Sequence, residues 1–66
     1  MLIFINGEER KVSDKLTVQK LLQELGIAEQ RLAVEINQQV VPRSTLSEHI
    51  IQPNDSIEII HAIGGG

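Results

Sequence analysis

The chain has 66 residues, enough for one small domain. Apolar residues make up 41 % of it, but Phe4 is the only aromatic residue, so aliphatic side chains must supply the core. With no cysteine, the chain has no disulfide, no thiolate nucleophile and no sulfur ligand for zinc. Six Lys and Arg against nine Asp and Glu give a net charge of −3, which argues against nucleic acid as a partner.

Membrane insertion and metal binding are also not expected. No apolar run approaches the roughly 20 residues of a membrane-spanning helix, and residues 1–5 are too few for the apolar part of a signal peptide. We therefore expect a cytoplasmic protein. His49 and His61 have neither cysteine nor convergent carboxylates near them, so no metal site is predicted. The hydroxyl residues near His49 resemble no nucleophilic arrangement, so no catalytic residue is predicted.

The chain begins with a predicted hairpin. Residues 2–5 form a short apolar run, and Asn6-Gly7 tolerates the positive backbone angles of a type I′ turn. Residues 8–12 are expected to return as an edge strand, because their charges discourage pairing with another chain.

One amphipathic helix is predicted over residues 18–25, with Thr17 as its N-cap and Gly26 as its left-handed C-terminal cap. Its apolar stripe consists of Val18, Leu21, Leu22 and Leu25. Later in the chain, residues 45–48 have the spacing of a capping box, which predicts a helical turn that carries Leu46 inward.

The remaining strands lie in the second half of the chain. Residues 32–36 alternate between large apolar and small or charged side chains, as a half-buried strand does. Residues 39–41 are expected to be a short partner strand that ends at Pro42. A turn over residues 53–56 then leads to a last strand over residues 57–63.

This order of elements favours an α+β protein of the β-grasp, ubiquitin-like class. One helix covers one face of a mixed sheet of four to five strands, and the first and last strands lie adjacent and parallel. Both of these strands are apolar on two faces, which is typical of central strands. We expect residues 1–63 to form the domain and residues 64–66 to form a flexible tail.

The uncovered face of the sheet is a candidate surface for docking another protein. Strand alternation places five apolar side chains on it: Leu2, Phe4, Ala33, Ile60 and Ala62. Glu35 and Glu58 are expected beside them. Apolar side chains gathered on an open face indicate an interaction site, although small proteins also leave some apolar surface in water.

The three glycines at the end, Gly64, Gly65 and Gly66, add nothing to packing. An unordered terminus is one interpretation. The other is that Gly64 and Gly65, having no side chains, thread a partner's channel and deliver the carboxylate of Gly66 to its active site. A nucleotide-using enzyme can convert that carboxylate into an acyl-adenylate, and a sulfur nucleophile can then form a thiocarboxylate.

The chain resembles the ThiS family of small sulfur carriers of thiamine biosynthesis over essentially its whole length. The similarity lies in residues 2–7, in residues 16–18 and 21–22, in AVEINQQVVPR (33–43), in the turn at 53–59 and in Gly65-Gly66. A Gly-Gly end alone is shared with ubiquitin-like modifiers in general. Ile36-Asn37 followed by Val41-Pro42-Arg43 is more specific.

The resemblance implies that partners carry out all the catalysis. A ThiF-type enzyme would adenylate Gly66 with ATP and magnesium, so no cofactor is bound by this chain. Sulfur would come from a donor such as a cysteine desulfurase, and thiazole synthase would consume the thiocarboxylate. The alternatives are a small subunit of molybdopterin synthase, a covalent protein modifier joined through Gly66, and an interaction module with inert glycines.

Overall fold

The computed structural model describes residues 1–61, which contain one sheet and one α-helix. The elements are β1 (Leu2–Ile5), β2 (Glu8–Lys11), α1 (Val18–Glu24), β3 (Leu32–Ile36), β4 (Gln39–Val41) and β5 (Ser56–His61). The strands lie in the order β2-β1-β5-β3-β4, with β1 and β5 parallel and the other neighbours antiparallel. This arrangement confirms the predicted β-grasp fold.

Both ends of α1 are fixed by local hydrogen bonds. At the N-terminus, Thr17 Oγ1 accepts a hydrogen bond from Lys20 N at 3.2 Å, which satisfies one of the amides that the helix leaves free. At the C-terminus, Gly26 has a φ of 75° and its amide donates to Gln23 O at 3.0 Å. Ile27 N donates to Leu22 O at 3.0 Å, so the helix ends in a Schellman motif.

The core lies between α1 and one face of the sheet. The buried residues of β1, β3 and β5 follow the predicted alternation: Ile3, Val34, Ile36, Ile57 and Ile59. Leu16 and Ile51 are also buried, although neither lies in a strand or helix with a periodic pattern. They meet because Ile51 N donates to Leu16 O at 2.8 Å, a contact between distant segments that the sequence pattern does not reveal.

The predicted helical turn over residues 45–48 is present, since Glu48 N and His49 N both donate to Thr45 O, at 3.0 and 2.9 Å. A 3-10 helix spans Arg43–Thr45, and Thr45 Oγ1 donates to Pro42 O at 3.0 Å instead of capping a following turn. The capping-box interpretation is therefore wrong, because the hydroxyl closes the preceding turn. Leu46 still packs against the core as expected.

The predicted domain boundary falls outside the described residues. The predicted last strand covers residues 57–63; β5 spans Ser56–His61, and residues 62 and 63 lie outside the described residues. In residues 1–61, no helix has the length and apolar character needed to cross a bilayer.

Candidate functional site

β5 is the strand that leads toward the glycines. It lies in the middle of the sheet, between β1 on one side and β3 on the other. Ala62, Gly64, Gly65 and Gly66 lie outside the described residues, and the roles predicted for them stay predictions. The candidate site therefore consists of the C-terminal half of β5 and of the surface around it.

Four of the five residues predicted for docking lie on the sheet face opposite the core. The strand register separates them into two apolar patches. Leu2 and Phe4 are half-buried neighbours on β1, and Ala33 and Ile60 are exposed partners across β3 and β5. Phe4 is level with Ser56, so Ile60 lies four residues further along, about 13 Å away along the strand direction.

Two carboxylates separate these patches. Glu35 and Glu58 are direct partners in the antiparallel pairing of β3 with β5. Asn37 N donates to Ser56 O at 2.8 Å, so Asn37 and Ser56 form a hydrogen-bonded pair of the antiparallel ladder. Such pairs alternate with non-hydrogen-bonded pairs, so Glu35 and Glu58, two residues along, are also a hydrogen-bonded pair. The Cα atoms of such a pair lie about 5.5 Å apart. No cation of residues 1–61 lies within salt-bridge distance of either carboxylate, so this part of the face is acidic and uncompensated.

Val40 is an apolar residue of this face that the sequence analysis missed. It pairs with Glu35 across β3 and β4, so the two side chains share the open face. With 66 % of its surface exposed it is more accessible than Ile60, at 49 %. A strand of three residues has no clear alternation, and only its register with β3 reveals which face Val40 occupies.

Two asparagines at hairpin turns hydrogen-bond to the backbone of β5. Asn6 and Asn37 have φ values of 49° and 52°, the left-handed conformation that both type I′ turns require. Asn37 Oδ1 accepts from Ser56 N at 3.0 Å, at the start of β5. Asn6 Oδ1 accepts from Ile59 N at 2.9 Å, nearer its end. The sequence predicted the first turn but neither side-chain contact.

Asp55 is a buried carboxylate immediately before β5, with 8 % of its surface exposed. Its Oδ2 accepts from Gln52 N at 2.8 Å, and its Oδ1 accepts from Asn37 Nδ2 at 3.0 Å. Both oxygens are engaged in closing the turn, so Asp55 has a structural role. Within residues 1–61, no three His, Asp or Glu side chains are grouped so that they could hold a metal ion.

Comparisons with known proteins find a matching family model and several relatives. A model of the ThiS family matches residues 3–66. The sulfur carrier protein ThiS of Escherichia coli is 36 % identical over 66 residues, the full length of both chains. A thiazole synthase of Paramagnetospirillum magneticum is 44 % identical over 66 residues, and this chain spans 20 % of its length.

A solved structure is similar over the whole molecule. The crystal structure of the thiamine biosynthesis protein ThiS from Geobacter metallireducens has a TM-score of 0.87 and 29 % sequence identity, with all of both chains covered. The two proteins therefore share one overall fold.

Proposed function

This chain belongs to the ThiS family, and from that membership we propose that it is a sulfur carrier of thiamine biosynthesis whose chemistry takes place at Gly66. The observation that carries the proposal is similarity over the whole chain, through residue 66, to proteins of this family. Membership in this family also supports the expectation that the chain carries sulfur and leaves catalysis to its partners.

The proposed cycle has three steps, all catalysed by partners. An adenylating enzyme of the ThiF type joins the Gly66 carboxylate to the α-phosphate of ATP, with magnesium, and releases pyrophosphate. Sulfur from a donor such as a cysteine desulfurase then displaces AMP: a persulfide gives an acyl disulfide, and a thiol reductant cleaves its S–S bond to leave a thiocarboxylate. Thiazole synthase takes the sulfur during thiazole phosphate formation and returns the carboxylate.

Similarity to thiazole synthases supports thiazole formation over the molybdopterin alternative. The chain spans about one fifth, 20 %, of the length of each of two thiazole synthases that it matches. A carrier-like segment within a thiazole synthase is what a functional pairing of the two proteins predicts.

We also propose that the open face of the sheet docks the adenylating enzyme. Ile60, Ala33 and Val40 form an apolar area close to the end of β5, and Glu35 and Glu58 lie beside it. The five residues beyond His61 span at most about 17 Å. A partner that binds this area therefore meets the terminal carboxylate within that reach. Apolar contacts flanked by an Arg or Lys of the partner would complement both features.

Intact-mass measurement tests the proposed loading. The purified chain is incubated with a ThiF-type enzyme, ATP, magnesium and a cysteine-derived sulfur source. We expect the mass to rise by the difference between one sulfur and one oxygen atom, and fragmentation should place the change on Gly66. Omission of ATP should abolish it.

Two variants make the result specific. One variant lacks Gly66, and the other is extended by one alanine after Gly66. Both keep residues 1–61 unchanged, so both should fold normally, but neither should take up sulfur. Absence of sulfur uptake by the unaltered chain would contradict the proposed function, and so would equal uptake by the alanine-extended chain.

A further inference from the structure

β5 is supported to different extents on its two sides. β3 pairs with it from Ile57 to His61. The backbone pairing of β1 covers only Ser56 and Ile57, opposite Phe4 and Ile5, because the chain then turns at Asn6 into β2. In the described part of the chain, no strand lies beside the second half of β5 on the β1 side.

The side chain of Asn6 occupies that position. The backbone amide of Asn6 donates to Ile57 O at 2.8 Å and continues the ladder by one residue. Its Oδ1 then accepts from Ile59 N at 2.9 Å, and its Nδ2 reaches Ile59 O at 3.5 Å. The carboxamide thus presents an acceptor and a donor to Ile59, the two groups that successive peptide units of a parallel neighbouring strand would supply.

Asparagine suits this position for two independent reasons. The φ of 49° disfavours most side chains, but Asn tolerates the left-handed region. A carboxamide also carries its acceptor and its donor on two separate atoms, whereas Ser has a single hydroxyl and Gly has no side chain. Asn6 therefore both forms the turn and hydrogen-bonds Ile59, which lies 53 positions later in the chain.

We propose that Asn6 is a positioning residue for the loading of Gly66. It holds the end of β5 in line with the sheet beyond the last residue of β1. This sets the point and direction from which the chain continues after His61 toward the partner's active site. The inference rests on the proposed function. It adds a residue of the first hairpin on which presentation of the Gly66 carboxylate depends.

Loss of this support should act on binding of the carrier and not on the chemical step. If the end of β5 separates from the plane of the sheet part of the time, only the remaining fraction is competent to bind. The apparent affinity falls by that fraction. One or two neutral hydrogen bonds change an equilibrium by roughly twofold to tenfold. The KM for the carrier should therefore rise by up to that factor, the full factor applying once the separated state predominates in the variant.

The experiment compares Asn6→Gly with Asn37→Gly in the adenylation assay. Glycine keeps the left-handed backbone at either turn and removes only the side chain. Asn37 is the matched control, because it has the same turn position but hydrogen-bonds Ser56 at the start of β5. Asn6→Asp restores an acceptor for Ile59 N and serves as the conservative rescue.

We expect Asn6→Gly to raise the KM for the carrier about twofold to tenfold with kcat within twofold of the unaltered chain. Amide exchange at Ile59, measured by NMR, should accelerate by a similar factor. Asn37→Gly should leave this KM unchanged even if its melting temperature falls, and Asn6→Asp should recover much of the lost affinity.

Several outcomes would overturn the inference. These are an unchanged KM in Asn6→Gly, an equal rise in both glycine variants, and unaltered exchange at Ile59. Failure of the proposed function would look different, because the unaltered chain would then not be adenylated at all. In that case the inference about Asn6 fails together with the proposed function.

Discussion

Replacing Glu58 by glutamine removes one of the two carboxylates that oppose each other across β3 and β5. Like charges at directly opposed positions destabilise a sheet. Two unit charges about 6 Å apart repel by about 0.7 kcal/mol in bulk water, and by more at a lower effective dielectric constant. Glu58 is exposed and Glu35 is half-buried, so screening by solvent and salt reduces the repulsion to about 0.5 kcal/mol.

We expect Glu58→Gln to raise the free energy of unfolding by about 0.5 kcal/mol at low ionic strength. For a domain of this size the melting temperature then rises by about 2–4 °C. Thermal and urea unfolding measure the change. In 1 M salt, where the Debye length is about 3 Å, most of the gain should disappear.

A double-mutant cycle isolates the repulsion from the change in net charge. Glu29→Gln removes the same charge from an exposed turn away from the sheet and serves as the control. Glu35→Gln alone should stabilise the chain as Glu58→Gln does, and the double variant should gain little more. A gain in Glu58→Gln no larger than that of Glu29→Gln, or one that persists in high salt, would refute the reasoning.

The same variant links stability to function. The proposed docking face offers the two carboxylates to a cationic group of the adenylating enzyme, which would relieve their repulsion in the complex. Glu58→Gln should therefore be more stable as a free chain and weaker as a binding partner. Calorimetric titration with the enzyme measures the second effect.

Three further predictions concern single residues. Ile60→Asp should weaken binding of the adenylating enzyme at least tenfold, measured by titration. Ile50 is equally exposed on another surface, so Ile50→Asp should not weaken binding. Equal effects of the two substitutions would contradict the docking face. Ile57→Ala, which empties a fully buried site, should cost about 2–5 kcal/mol in urea unfolding, and a loss below about 1 kcal/mol would contradict its central place. Asp55→Ala leaves Gln52 N without its acceptor and should cost about 1–3 kcal/mol in the same assay, a neutral result arguing against the buried turn.

The sequence by itself determined the local elements. Thr17, the apolar stripe of α1 and Gly26 define the helix, because capping and amphipathic spacing act within a few residues. Asn6-Gly7 defines the first turn in the same way. Strand alternation also assigned the faces of β1, β3 and β5, since successive side chains point to opposite sides.

Only the tertiary structure decided how these elements combine into a surface. The register of β3 against its neighbours places Glu35 opposite Glu58 and brings Val40 onto the open face. The reach of Asn6 to Ile59 depends on β1 ending before β5 does. Such contacts join residues distant in the chain, and their geometry comes from packing of the whole sheet, which no local pattern encodes.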